Sequence, residues 1–163
     1  MKSVIIVRHA KSSWAEPGLS DFERPLNDRG KEDAPKMAKR LLDKNVKIDV
    51  FISSPAKRAK KTASLFIEEY GGDKHDIILI DELYHAGPEA FYAAIAAAPE
   101  KAQRIALFSH NPGITEFVNQ LTNAKVDDMP TCAVFAVKAD IEDWKQFRDG
   151  EKEFWFFDYP KSR

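Results

Sequence analysis

Lys2-Ser3-Val4-Ile5-Ile6-Val7-Arg8-His9-Ala10 opens the chain with an apolar run that ends on an arginine and a histidine. An uninterrupted run such as Val4 to Val7 fits a strand covered on both faces, as strands are inside parallel sheets. Such a strand hands Arg8 and His9 to the loop at its carboxyl end, where ligands bind in open α/β sheets. The design recurs twice. Val50-Phe51-Ile52 runs into Ser53-Ser54-Pro55-Ala56-Lys57-Arg58, and Ile105-Ala106-Leu107-Phe108 runs into Ser109-His110-Asn111-Pro112-Gly113. Three strand ends therefore offer Arg8, His9, Arg58 and His110.

Around these words strands alternate with helical patterns. The spacing predicts strands at Lys2 to Val7, Val50 to Ile52, Ile77 to Ile80, Arg104 to Phe108 and Cys132 to Val137. Helices are expected near Asp28 to Leu42, Pro55 to Tyr70, Pro88 to Ala98 and Pro112 to about Leu121. Met37, Leu41 and Leu42 recur at helical spacing with Ala34 and Ala38, as do Phe91 and Ile95. Ser54 before Pro55 and Asn111 before Pro112 read as N-caps with proline at the first helical position, where its missing N–H costs nothing. Pro35, inside the first helical pattern, predicts a kink or a displaced start. Phe154 to Phe157 fits a last edge strand, antiparallel, and these aromatics, with Trp144 and Phe147 before them, are expected to be core rather than partner surface. The fold class expected is α/β, a three-layer sandwich with a mostly parallel central sheet and helices on both faces.

With 163 residues, 44% of them hydrophobic, the chain suits one sizeable core, so residues 1–163 are expected to form a single domain. Its 25 basic and 26 acidic residues leave a net charge of −1. No global field favours nucleic acid or an anionic membrane, and anion recognition must be local. Cys132, the only cysteine, excludes an internal disulfide and a cysteine-rich zinc site, and it reads as a small buried strand residue. The apolar stretch Ser3 to Val7 is too short for a signal peptide, and no run approaches the roughly 20 apolar residues of a membrane span. A cytoplasmic protein is expected, with nothing in the sequence to set an oligomeric state.

A phosphoryl group needs cations and N–H donors about its oxygens, which Arg8 and Arg58 supply as planar forks beside the start of a helix. It also needs a receiver. A neutral imidazole is a competent nucleophile near pH 7, so His9 can accept the phosphoryl group and later yield it to water, while His110 donates to a phosphate oxygen.

The words Val7-Arg8-His9-Ala10-Lys11-Ser12-Ser13-Trp14, Ser53-Ser54-Pro55 with Arg58-Ala59 and Thr62-Ala63, and Ser109-His110-Asn111-Pro112-Gly113 resemble the histidine phosphatase superfamily, which is phosphoglycerate mutase-like in fold. Within it they are most similar to the small SixA-type phosphohistidine phosphatases. The resemblance runs from Lys2 to about Leu121, through Arg24-Pro25-Leu26 and Arg29-Gly30. It implies His9 as the phosphorylated nucleophile, with Arg8, Arg58 and His110 as the rest of the phosphate pocket, and neither metal nor cofactor. Ser12 matches a small polar position lining the phosphate, and Trp14 reads equally as a loop anchor. Ala10 stands where glycine often follows the nucleophile.

Mutase-like members protonate an alcohol leaving group with an acidic residue after the third strand. Asp81-Glu82-Leu83-Tyr84-His85-Ala86-Gly87 occupies that region without the familiar spacing, leaving Glu82 and His85 as candidate proton donors. A P–N bond, whose nitrogen is readily protonated, needs such an acid less than an ester does. The stretch from Arg58 to Asp81 also leaves no room for a large cap. Both features favour phosphohistidine in a protein as substrate; alternatives are a small-metabolite phosphoester or a phosphate-binding module without turnover. The expected partner is a phosphorylated protein or small phosphorylated molecule. In the long segment Ala10 to Asn27, Arg24 either touches substrate or forms a salt bridge with Asp21 or Asp28. Lys57, Lys60 and Lys61 form a basic run beside Arg58, a solvated helix face able to attract an acidic protein surface.

Overall fold

Val4, Ile5, Ile6 and Val7 are fully buried. In the computed structural model, which describes residues 1–162, they form the middle of strand β1 (Lys2–Arg8). The chain continues through α1 (Asp28–Asp43), β2 (Val50–Ser53), α2 (Lys57–Glu69), β3 (Ile78–Leu79), α3 (Pro88–Ala96) and β4 (Arg104–Ser109). It ends through α4 (Gly113–Val118), β5 (Val134–Ala139) and β6 (Lys152–Asp158). The six strands lie in the order β3-β2-β4-β1-β5-β6. β1 pairs in parallel with β4, β4 with β2 and β2 with β3, whereas β5 runs antiparallel to β1 and β6 antiparallel to β5. The expected α/β class and mostly parallel sheet are thus the observed ones, and β6 is the antiparallel edge strand.

Pleating sends alternate residues of the central strands to opposite faces. Val4 and Ile6 of β1 join Ile105 and Leu107 of β4 in one core, under Phe91 of α3 and Phe117 of α4. Ile5 and Val7 join Ala106 and Phe108 in a second core, under Met37 and Leu41 of α1 and Phe66 of α2. Burying each aliphatic or aromatic side chain contributes about 1.5–3 kcal/mol, so the two cores outweigh any surface pair in fixing where β1 ends.

Several local expectations are corrected. α2 begins at Lys57, after Ala56, and α4 begins at Gly113, after Pro112, so Pro55 and Pro112 are not first helical residues and Ser54 and Asn111 are not caps. Ser54 Oγ meets His110 Nε2 and accepts the Ala56 N–H, ahead of the helix, while Asn111 Nδ2 donates to Asp128 Oδ1 and the Met129 carbonyl. Pro35 does not displace the start of α1, because Asn27 Oδ1 accepts the Gly30 N–H at 2.8 Å and caps the helix at Asp28. Cys132 is buried but lies in a turn at φ 60°, ahead of β5, with its N–H donated to the His9 carbonyl at 3.0 Å. Trp144 and Phe147 are core, whereas Phe154 to Phe157 sit partly exposed because β6 has no neighbour on its outer side.

Gly30 shows how tightly the loop after β1 is held. A Cβ there would lie 2.2 Å from the Lys11 carbonyl oxygen. Alanine in an open helix gains about 1 kcal/mol over glycine. At this position the contact reverses the sign, and Gly30→Ala is expected to lose about 1–3 kcal/mol in urea denaturation. Gly18→Ala, where a Cβ meets nothing within 4 Å, is the neutral control.

Candidate active site

The ends of β1, β2 and β4 converge because they are neighbours in the parallel part of the sheet. β1 delivers Arg8 and His9, the start of α2 delivers Arg58, and the end of β4 delivers His110. Together with Ser12 and Arg24 they line one cavity of about 310 Å³. The four residues singled out at strand ends are therefore neighbours in space.

His9 is 6% exposed, and its Nδ1 lies 2.7 Å from the carbonyl oxygen of Ala10. A carbonyl only accepts, so Nδ1 carries the proton and Nε2 keeps its lone pair. Arg58 gives an independent indication of the same tautomer, since its Nε–H donates to His9 Nε2 across 3.4 Å. Burial, with Arg58, Arg8 and Arg24 nearby, pushes the imidazole down to about 3, so His9 is neutral at physiological pH. The loop supporting it is fixed by the Ala10 N–H on Thr62 Oγ1 at 2.9 Å, and Thr62 in turn donates to the Arg58 carbonyl. The methyl group of Ala10 is accommodated in the core.

His110 stands with its ring centroid 5.1 Å from that of His9. Its Nε2 meets Ser54 Oγ at 2.8 Å, while Nδ1 is buried with no hydrogen-bond partner among the described residues. Burial is the main cause of its lowered pKa, about 2, with His9 and Arg58 adding to it. Arg8 donates from Nη1 to the Met129 carbonyl at 2.8 Å. Desolvation lowers its pKa from the ordinary arginine value, and Asp128 opposes the shift.

Asp21 holds the cationic side together. Its Oδ2 accepts from Arg58 Nη2 at 3.0 Å and from the Tyr84 hydroxyl at 2.6 Å, and its Oδ1 accepts from Arg24 Nη1 at 3.0 Å. Its backbone carbonyl takes Arg58 Nη1 at 2.7 Å. The Tyr84 hydrogen bond and the two guanidiniums hold this carboxyl well below the usual range. The expected salt bridge of Arg24 with Asp21 is present, and Arg24 also donates to Ser12 Oγ and stacks 3.3 Å from the ring centroid of Trp14. Trp14, 76% exposed, thus covers Arg24 from solvent. The three-residue separation of Asp21 and Arg24 marked their pairing; nothing in sequence pointed Asp21 at Arg58, or Tyr84 at Asp21.

The two candidate proton donors part company. His85 lines a second cavity of about 510 Å³, which shares Arg58, His110 and Asn111 with the first. Glu82 is exposed on the turn Asp81–Leu83 and lines neither, because that turn points its buried face, Leu83, into the core. Glu116 of α4, not foreseen, lines the second cavity.

The family model of the histidine phosphatase superfamily (branch 1) matches residues 4–85, half of the chain. The chain belongs to that superfamily. Among solved members, the SixA protein of Agrobacterium tumefaciens, assigned as a phosphohistidine phosphatase, is 28% identical with a TM-score of 0.82 over 98% of both chains. The protein histidine phosphatase SixA complexed with tungstate is 25% identical, with a TM-score of 0.78 over 97% of both chains. An uncharacterized chloroplastic protein of Arabidopsis thaliana is 26% identical over 89% of this chain and 70% of its own length.

The two buried histidines make stability pH-dependent. Their pKa values are lowered in the fold, to about 3 and about 2, so between pH 6.5 and those values the unfolded chain binds protons that the folded chain does not. Stability is expected to fall as pH drops below about 6.5, by roughly 1.4 kcal/mol per pH unit for each histidine. Urea denaturation at pH 7 and pH 5 checks this: the double variant His9→Gln/His110→Gln should lose less stability over that interval than the wild type.

Proposed function

We propose that the protein is a phosphatase that takes a phosphoryl group onto His9 Nε2 and transfers it to water, with phosphohistidine in a protein as its preferred substrate. The observation that carries the reading is the fixed tautomer of His9: the Nδ1 proton is spent on the Ala10 carbonyl, which leaves the Nε2 lone pair at the place where Arg8, Arg58 and His110 converge. Family membership and likeness to the two SixA structures support it. Tungstate, bound by one of them, is a tetrahedral oxyanion of the shape of phosphate.

In the first step the Nε2 lone pair forms a bond to phosphorus while the P–N bond of the substrate breaks. The substrate imidazole leaves neutral if its other nitrogen already holds a proton, so no carboxylic acid is required. Arg8 and Arg58 balance the phosphoryl oxygens, Ser12 and Arg24 bound the same cavity, and His110 Nε2 turns from Ser54 Oγ to a phosphoryl oxygen as charge shifts. Water then attacks phosphorus, the P–Nε2 bond breaks, and inorganic phosphate leaves with His9 restored. Asp21 is a positioning residue in this scheme, setting the planes of Arg58 and Arg24.

The scheme takes residues 1–163 as one domain without a large cap. Between β2 and β4 there are only α2, the two-residue β3, short turns and α3, and an open mouth suits a side chain presented by a protein. A cytoplasmic location goes with the reading; among the described residues no helix is long and apolar enough to cross a membrane.

Intact-mass measurement during turnover of a phosphohistidine peptide is expected to show phosphate on His9, and His9→Ala should lose both the adduct and about a thousandfold or more of turnover. Turnover unchanged in His9→Ala would overturn the mechanism, and sugar phosphates outpacing the peptide would move the substrate to small metabolites. Glu82→Gln should leave kcat within about twofold. Asp21→Asn should lower kcat/KM about tenfold by releasing both guanidiniums from one partner.

A further inference from the structure

A third cavity, of about 720 Å³, opens beside the pocket of His9. Lys57, Lys60 and Lys61 of α2, Lys31 of α1 and Lys74 of the turn Lys74–Asp76 line it, and no Asp or Glu does. None of these five lysines makes an ion pair or a side-chain hydrogen bond among the described residues. Asp73, next to Lys74 in the chain, is a carboxylate that feels one of these charges. On α2 the arrangement follows from helical spacing: Lys57, Lys60, Lys61 and the buried Ser64 line the cleft, while Arg58, Ala59, Thr62, Ala63 and Phe66 are buried away from it. The same helix thus turns a reacting arginine to one side and a lysine stripe to the other. Leu26, Ile77 and the exposed Leu79 give the cleft an apolar part of its lining. Its near wall includes Pro25 and Lys57, whose chain neighbours Arg24 and Arg58 line the pocket of His9.

We propose that this cleft docks an acidic segment of the phosphoprotein whose phosphorylated side chain enters the pocket of His9, an inference that rests on the phosphatase reading above. Five unpaired lysines at one rim attract carboxylates and raise the encounter rate with an acidic surface. The apolar lining rewards a polypeptide, which can alternate acidic with aliphatic side chains. Single-stranded nucleic acid relies on aromatic platforms, and no Phe, Tyr or Trp lines the cleft. With a net charge of −1 the chain as a whole exerts no general pull on anions, so such attraction is local.

The test compares two phosphohistidine peptides, one with Glu and Leu alternating beside the phosphohistidine and one with Gln in place of each Glu, alongside free phosphoramidate. The Glu peptide is expected to exceed the Gln peptide in kcat/KM by about tenfold at low salt and to lose that advantage as salt rises. In Lys60→Glu/Lys61→Glu/Lys74→Glu the preference should vanish while phosphoramidate turnover stays unchanged, which also shows that the variant folds. Equal turnover of the two peptides, or a preference that survives in the triple variant, overturns the docking site. Fluorescence anisotropy of the unphosphorylated Glu peptide separates the two readings. Binding that the triple variant loses, without turnover of any phosphorylated probe, sinks the phosphatase reading and keeps the cleft; turnover without binding does the reverse. A single-stranded DNA oligonucleotide of equal charge that binds more tightly than the Glu peptide would overturn the choice of a protein segment.

Discussion

β1 is flanked on both edges, by β4 in parallel and β5 in antiparallel, and is covered on both faces by separate cores. With its hydrogen bonds and its side chains all committed, this strand cannot slip without moving every residue to the wrong face. Its end is therefore the best-determined point in the molecule, and Arg8 and His9 stand on it. The ladder extends to the site itself: the His9 N–H donates to the Ser109 carbonyl, and the His9 carbonyl accepts from Cys132. The backbone of His9 is thus clamped between the ends of β4 and the turn before β5, and only its imidazole remains to be oriented. The Ala10 carbonyl does that.

The electrostatics follow from placing three arginines around two buried imidazoles. Each guanidinium discourages a proton on His9, and so does the loss of water around it. Burial is the larger cause of the neutral His9 imidazole and the three guanidiniums add to it, while the same positive charge suits a phosphoryl group. Asp21 offsets part of that crowding: its hydrogen bonds go to Arg58, Arg24 and Tyr84, and its charge opposes the lowering of the His110 pKa.

Most of this frame was legible in the sequence. Val4 to Val7, Val50 to Ile52 and Ile105 to Phe108 are apolar enough to be nothing but central strands, and the rule that ligands meet strand ends brings Arg8, His9, Arg58 and His110 together. The irregular segments were not legible, since their geometry is decided by partners distant in sequence. Ser54 and Asn111 look like caps in isolation, yet a buried imidazole and the Asp128–Met129 segment claim them first. Cys132 resembles a strand residue in composition, but its positive φ is needed to aim its N–H at His9. Glu82 and His85 are near in sequence to the expected acid position, and the turn Asp81–Leu83 separates them, one to solvent and one to a cavity wall.

The carboxylate of Asp21 spans two guanidinium groups contributed by different segments, one on α2 and one on the loop after β1. An anion entering the pocket must offer Arg58 and Arg24 more than that carboxylate already gives them. A halide, with a single charge and no fixed directions for its acceptors, has little to exchange. A tetrahedral dianion presents several oxygens at angles that match the planar forks and can share the arginines with Asp21. The Asp21 carboxylate, itself 44% exposed, thus stands as a built-in competitor for both guanidiniums.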